Sequence, residues 1–516
     1  MRLFPRLVAT VVAIGLCPFD ASAQATAEAR AAHAYERAVA AGPLALHAFL
    51  DQFPKGADLH VHLEGAVYAE TFIRNAGEDG LCVDPTALQF EKPPCTAPLV
   101  PASILAGVLT DPQQELYDRL VNSFSLRGYA SNPAVTAHDQ FFYSFDRFAG
   151  LSRAHVGEWI DEVASRAAAQ NQQYLEIMET PPFGQAAKIA RENSLNSNFA
   201  AYRQALLSQG LTDEMATDRQ YIRTAEARRR ESERCGTPQA RPACNVTIRY
   251  IYQVLRGFSS EQVFAQALLG FETVQAATAA HEDTWVGINF VMPEDGFVSM
   301  RDYSLHMRMV EYLHSTYPAV HISLHAGELA PGLVPPEGLR FHIAEAVQVG
   351  HAERIGHGVD VAYENDARGL LKKMAQEHVM VEINLTSNEG ILGVKGLEHP
   401  FAFYRAAHVP VALSTDDEGV SRSEITHEYV RAALDYRLTY SDLKQLARTG
   451  MEHSFLPGQS LWAARDVFTT PVAPCRGQVP GSVAPSTPCR AFLDASQKAA
   501  AQWEQERRFG AFEAQF

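Results

Sequence analysis

Short apolar runs recur along this chain, separated by longer stretches in which apolar residues return every three or four positions. Eight of the runs read as strands, at 57–63, 174–178, 246–255, 286–292, 320–325, 354–357, 379–385 and 410–414. From the fourth strand onward the intervening stretches show amphipathic helical periodicity, at 303–317, 339–349, 366–377 and 400–407. Strand–helix alternation repeated eight times predicts an α/β protein built as a (β/α)8 TIM barrel. Two helical stretches, 25–41 and 44–53, precede the first strand. The first two intervals are too long for plain crossovers and predict insertions after strands 1 and 2. The first reads as a small disulfide-stapled subdomain. The second reads as a long helical hairpin, whose mixed-sign run RTAEARRRESER predicts a solvated helix face.

The start of the chain has a different texture. Arg2 and Arg6 precede an apolar run at 7–17, followed by Ala21-Ser22-Ala23, the pattern of a secretory signal. The run is too short to span a bilayer, and nothing later approaches the ~20 uninterrupted apolar residues a span requires, so no membrane partner is expected once the leader is removed. The expected organisation is a signal at 1–23, a helical segment at 24–53, a barrel domain at 54–455 with insertions at about 75–140 and 186–244, and a helical and loop extension at 456–516. Export places the chain in a periplasmic or extracellular setting, where cysteines pair. Six cysteines follow the leader, and although six allow 15 connectivities, they fall into local couples: Cys82 with Cys95, Cys235 with Cys244, and Cys475 with Cys489.

Composition narrows the class. Of 516 residues, 47% are hydrophobic and 20% charged, which excludes a disordered chain. A net charge of −16 argues against a nucleic-acid polymer as partner.

The candidate chemistry sits at the ends of the predicted strands. His60 and His62 are two apart on an extended segment and so point to one face. SLHAGE supplies His325 and Glu328, RIGHG supplies His357 between two glycines, and LSTDD supplies Asp416 and Asp417. In a parallel barrel these ends meet at one mouth. Three histidines and an aspartate there hold Zn2+ while leaving room for water, whose pKa the metal lowers towards neutrality. Glu328, His357 and Asp417 remain as acid, base and orienting groups.

PKGADLHVHLEGA, SLHAGE, ERIGHG and LSTDDEG, in that order, strongly resemble the adenosine/AMP deaminase family of the amidohydrolase superfamily. The leader and insertions resemble its secreted, adenosine deaminase-related growth factor branch. The resemblance runs from about residue 50 to 450. It implies that His60, His62, His325 and Asp416 bind one zinc ion. It also implies that Glu328 protonates purine N1, that His357 positions and helps deprotonate the metal-bound water, and that Asp417 hydrogen-bonds the purine ring. Glu64 becomes a ribose-side contact, and Gly356 resembles nucleoside deaminases, whereas adenine deaminases tend to carry Asp there. Met292 departs from the family, which usually places a glycine there whose backbone contacts purine N3. The fourth strand has no Lys, which disfavours a carbamate-bridged metal pair. The implied function is exported, zinc-dependent hydrolysis of adenosine and 2′-deoxyadenosine to inosine or deoxyinosine and ammonia. Adenine, AMP or an N6-modified adenosine as substrate, and a non-catalytic nucleoside-binding or signalling scaffold, are the alternatives. The resemblance and the extra N-terminal helices together imply a homodimer as the candidate assembly.

Overall fold

All eight expected strands form, and each pairs in parallel with the next in chain order. In the computed structural model, which describes residues 26–127, 129, 135–195 and 198–516, they are β1 (Gly56–His62), β2 (Gln172–Glu179), β3 (Thr247–Leu255), β4 (Trp285–Val291), β5 (His321–Ala326), β6 (Arg354–His357), β7 (Met380–Ile383) and β8 (Val411–Leu413). The expected leader at 1–23 lies outside the described residues. The cylinder closes just beyond β8, where Val61 and Asp416 form a parallel bridge. There the Asp416 N–H donates to the His60 carbonyl at 2.8 Å, and the His62 N–H donates to the Asp416 carbonyl at 3.3 Å. The seam therefore runs through residues expected to bind metal.

The strands are stiff and aliphatic, and burial follows: Ile177, Val254, Ile288, Ile322, Ile355 and Val381 are all inaccessible or nearly so. Helix Ser260–Ala279 covers the outside of β3 and β4, and Phe297–Thr316 packs beside it. Within the cylinder Arg354 is buried between two carboxylates, Glu176 at 2.6 Å and Glu382 at 2.7 Å.

Both insertions are present. After β1, Cys82–Asp84 pairs antiparallel with Gln89–Glu91 and with Val100–Pro101, and Cys82 is bonded to Cys95. Helices Asp111–Ser123 and Ala137–Arg147 follow. After β2 come three helices, Gly184–Glu192, Phe199–Ser208 and Thr212–Ser232, where a hairpin was expected. The Cys235–Cys244 disulfide then closes the return to β3. The mixed-sign run is not simply solvated. Ile222, Ala225, Arg229 and Glu233 recur at helical spacing and are buried, and Arg229 meets Glu233 at 2.8 Å.

The C-terminal extension is helical at Gln497–Glu513 and carries the Cys475–Cys489 disulfide. It also contains an antiparallel hairpin, Trp462–Ala464 with Val467–Pro471, that the sequence reading did not anticipate. The N-terminal helices Ala27–Ala41 and Pro43–Asp51 pack against this extension through Tyr35, Phe49, Phe509 and Phe512. Among the described residues no helix is long and apolar enough to cross a membrane.

Candidate metal and catalytic centre

His60, His62, His325, Glu328, His357, Asp416 and Asp417 are all buried at the carboxyl ends of β1, β5, β6 and β8. His60 Nε2 lies 3.5 Å from Asp416 Oδ1, and His62 Nε2 lies 3.4 Å from the same oxygen and 3.1 Å from His325 Nε2. Each imidazole is held by its other nitrogen. His60 Nδ1 meets Glu382 Oε2 at 2.6 Å, His62 Nδ1 meets Gln253 Oε1 at 2.6 Å, and His325 Nδ1 meets Asn289 Oδ1 at 2.7 Å. These oxygens accept, so the three Nδ1 atoms donate and the three Nε2 lone pairs turn inward.

That arrangement fits a divalent cation. Two lone pairs facing each other at 3.1 Å repel unless a positive charge lies between them, and His60 Nε2 is buried without a hydrogen-bond partner. Burial holds the His62 imidazole down to about 4 and His325 well below its usual value, so both are neutral, as ligation requires. At His60 burial is outweighed by Asp416 and Glu382, which push the imidazole up to about 10; a cation takes the place of that proton.

Around this set stand the remaining groups. His357 Nε2 lies 3.6 Å from Glu328 and 3.7 Å from Asp416. Burial first, then the charges of Asp416 and Glu294, push the Glu328 carboxyl well above the usual range, which suits a proton donor. Burial and Asp416 likewise push Asp417 up, and its Oδ1 has no partner. Burial holds His357 down to about 3, so it is neutral. A relay sets its tautomer. The Phe401 N–H donates to His399 Nδ1 at 3.2 Å, His399 Nε2–H donates to Asn388 Oδ1 at 3.0 Å, and the Asn388 amide donates to His357 Nδ1 at 2.9 Å. Because a backbone N–H can only donate, the relay leaves the His357 proton on Nε2, aimed into the site.

Three site residues occupy the left-handed backbone region, Asp416 at φ 61°, His357 at φ 70° and Met292 at φ 92°. Such conformations are costly outside glycine and persist where the surroundings impose them. Two glycines make room. A Cβ on Gly65 would lie 1.5 Å from Asp417 Oδ1, and one on Gly356 would lie 2.6 Å from His60 Cε1. Met292 keeps the backbone conformation expected of a glycine and folds its thioether over Gly257, whose N–H meets Sδ at 3.2 Å. Glu64 is not drawn into the cluster. It is 43% exposed at the rim, 3.2 Å from Arg153, and lines a cavity of about 230 Å³ with Phe72, Phe145, Phe148 and Trp159.

Glu382, Gln253, Asn289, Asn388 and Glu294 were not singled out in the sequence. The available signal was a polar residue interrupting an apolar strand, as in YIYQVL, GINFV and MVEI, whose inward side chains have no apolar role there.

A closed parallel barrel whose mouth gathers three imidazoles and a carboxylate around one point defines a metal-dependent hydrolase. The sequence profile of the adenosine deaminase family matches residues 151–467, and the chain belongs to that family. It is 31% identical to an adenosine deaminase of Yersinia pseudotuberculosis over 223 residues, which is 43% of this chain and 59% of that protein. It is 34% identical to an adenosine deaminase of Enterococcus faecalis over 139 residues, 27% of this chain and 38% of the relative. The matched stretches thus span less than two thirds of these relatives. Two solved structures share the fold at a TM-score of 0.50. One is the N6-methyl-AMP deaminase of Arabidopsis thaliana, 20% identical, covering 80% of this chain and 94% of its own. The other is an amidohydrolase of Burkhoderia ambifaria with bound Zn, 18% identical, covering 80% and 88%.

Proposed function

We propose that this protein is an exported, zinc-dependent deaminase of adenosine and 2′-deoxyadenosine, releasing inosine or deoxyinosine and ammonia. The observation that supports it best is the sharing of one space by a cation-fitting donor set and a protonated carboxyl: His357 Nε2 stands 3.6 Å from Glu328 and 3.7 Å from Asp416. Bound by His60, His62, His325 and Asp416, a single zinc ion would supply the Lewis acidity that makes water a nucleophile near neutral pH.

The chain's own groups do the rest. Glu328 gives its proton to purine N1, which makes C6 electrophilic. His357 donates from Nε2 to the incoming oxygen and orients it; with its proton on that nitrogen it is not the base that the family resemblance implied. Asp417, whose carboxyl burial and Asp416 keep protonated, donates a hydrogen bond to a purine ring nitrogen. As the C6–O bond forms and the C6–N6 bond breaks, one proton of the incoming water passes to the leaving nitrogen, which departs as ammonia, and the other returns to the Glu328 carboxylate, so that the product keeps the proton on N1. The Met292 backbone N–H is available to purine N3, and Glu64 is the ribose-side contact. Arg153 is the cation at that edge, and it is already paired with Glu64 at 3.2 Å and Glu179 at 2.9 Å, which favours a neutral nucleoside over a phosphate-bearing nucleotide. Three disulfides support export.

The test is ultraviolet loss at the adenosine band with zinc-replete protein, run against adenine, AMP and an N6-methylated nucleoside. Adenosine should be consumed fastest, and chelation or Glu328→Gln should abolish turnover. Faster conversion of adenine or AMP would reassign the substrate, and tight nucleoside binding without any turnover would leave a scaffold. Amino-terminal sequencing of secreted protein should begin at Gln24.

A further inference from the structure

Glu294 lies beyond β4, outside every motif that suggested chemistry, yet its carboxylate is wholly buried. Its Oε1 accepts from the Gly327 N–H at 3.0 Å and its Oε2 from the Glu328 N–H at 2.9 Å. Each oxygen therefore holds one of two consecutive amides in the turn after β5. The turn needs such a hold. Gly327 sits at φ 75°, and a Cβ there would lie 2.5 Å from Asp360 Oδ1, so the backbone swings sharply immediately before Glu328. Glu294 is itself fixed. His342 Nδ1 meets Oε1 at 2.5 Å, and the His342 ring stacks on Tyr303 at 3.7 Å between centroids. Arg256 approaches Oε2 at 3.8 Å while donating to the carbonyls of Met292 at 3.1 Å and His325 at 3.2 Å. Although burial pushes the Glu294 carboxyl up, His342, Arg256 and the Gly327 amide together hold it down to about 2, so it is an anion.

We propose that Glu294 is a positioning residue, a bidentate backbone clamp that straps the loop after β5 to the loop after β4 and so aims the Glu328 carboxyl at the substrate. The proposal rests on the reading of Glu328 as proton donor. Glu294 does not itself touch the reacting atoms. An isosteric Glu294→Gln change leaves one oxygen to accept and turns an amide N–H against a backbone N–H, breaking one arm of the clamp. Misplacing a reacting group by an ångström costs ~10²-fold in rate.

For Glu294→Gln, kcat on adenosine should fall ~10²-fold with KM within threefold and zinc content unchanged, since no metal ligand is moved. Hydrogen exchange in the peptide containing Gly327 and Glu328 should quicken at least ~10-fold while the β1 peptide stays protected. Glu294→Asp, which keeps the charge but shortens the reach, should lie between wild type and Gln, and serves if the Gln variant does not fold. An unchanged kcat, a parallel fall in zinc content, or unaltered exchange at Gly327 and Glu328 would overturn the proposal. If wild-type protein converts no purine, the reading of Glu328 fails, and the exchange rates still decide whether Glu294 clamps the loop.

Discussion

At the scale of single residues, proton placement decides what each group does. His357 is neutral and held by the Asn388 amide, so it presents a donor rather than a lone pair. An Asn388→Asp substitution keeps the shape but supplies only acceptors, drawing the His357 proton to Nδ1. We expect kcat to fall ~10²-fold with KM preserved, and the imidazole 15N shifts, assigned against a His357→Asn variant, to exchange their pattern. Unmoved shifts would show that the relay does not set the tautomer. Asp218, far from the mouth, gives a pH prediction. Burial pushes its carboxyl up to about 8 despite the hydrogen bond from Tyr252, with Glu214 adding to the rise. The folded chain keeps this proton where the unfolded chain has lost it, so between about pH 4 and pH 8 stability falls as pH rises, by at most ~1.4 kcal/mol per pH unit. Asp218→Asn mimics the protonated form, and its melting temperature should gain on wild type steadily from pH 5 to pH 8. Parallel curves would mean that Asp218 is already ionised in the fold.

At the scale of elements, what was legible in the sequence was whatever depends on local spacing. His60 and His62 share a face because two residues is one strand repeat, and the eight apolar runs declare themselves one at a time. The partners that aim those imidazoles were not legible, because they depend on register between distant strands. Glu382 reaches His60 across 322 positions and Gln253 reaches His62 across 191. The hairpin at Trp462–Ala464 was missed for a different reason: its turn, Arg465-Asp466, lacks the glycine or asparagine that announces such a reversal, and Asp466 takes φ 59° without that signal. Gly356 shows how family likeness and packing give different accounts of one residue. Likeness connects it with substrate choice, whereas the structure shows β6 lying against the His60 ring. Gly356→Ala should therefore displace His60, weaken zinc binding by more than ~10-fold and destabilise the fold by ~1–3 kcal/mol, read by metal titration and thermal melting. Altered substrate preference with zinc affinity intact would favour the other account.

At the scale of the whole molecule, the joint between the beginning and end of the barrel is also the place where cation donors meet. β8 reaches β1 through Asp416, His60 and His62. An ion gripped there binds only the closed form and stabilises it by mass action. Chelation is expected to lower the melting temperature by several degrees, and restored zinc to recover it; a melting temperature indifferent to metal would separate the donors from closure. The same joint makes inactivity hard to hide. A substitution that spoils the cation set also removes the ion's hold on the closed cylinder, so damage to the chemistry should surface first as a poor yield of folded protein or heightened protease sensitivity, before any assay of turnover is run.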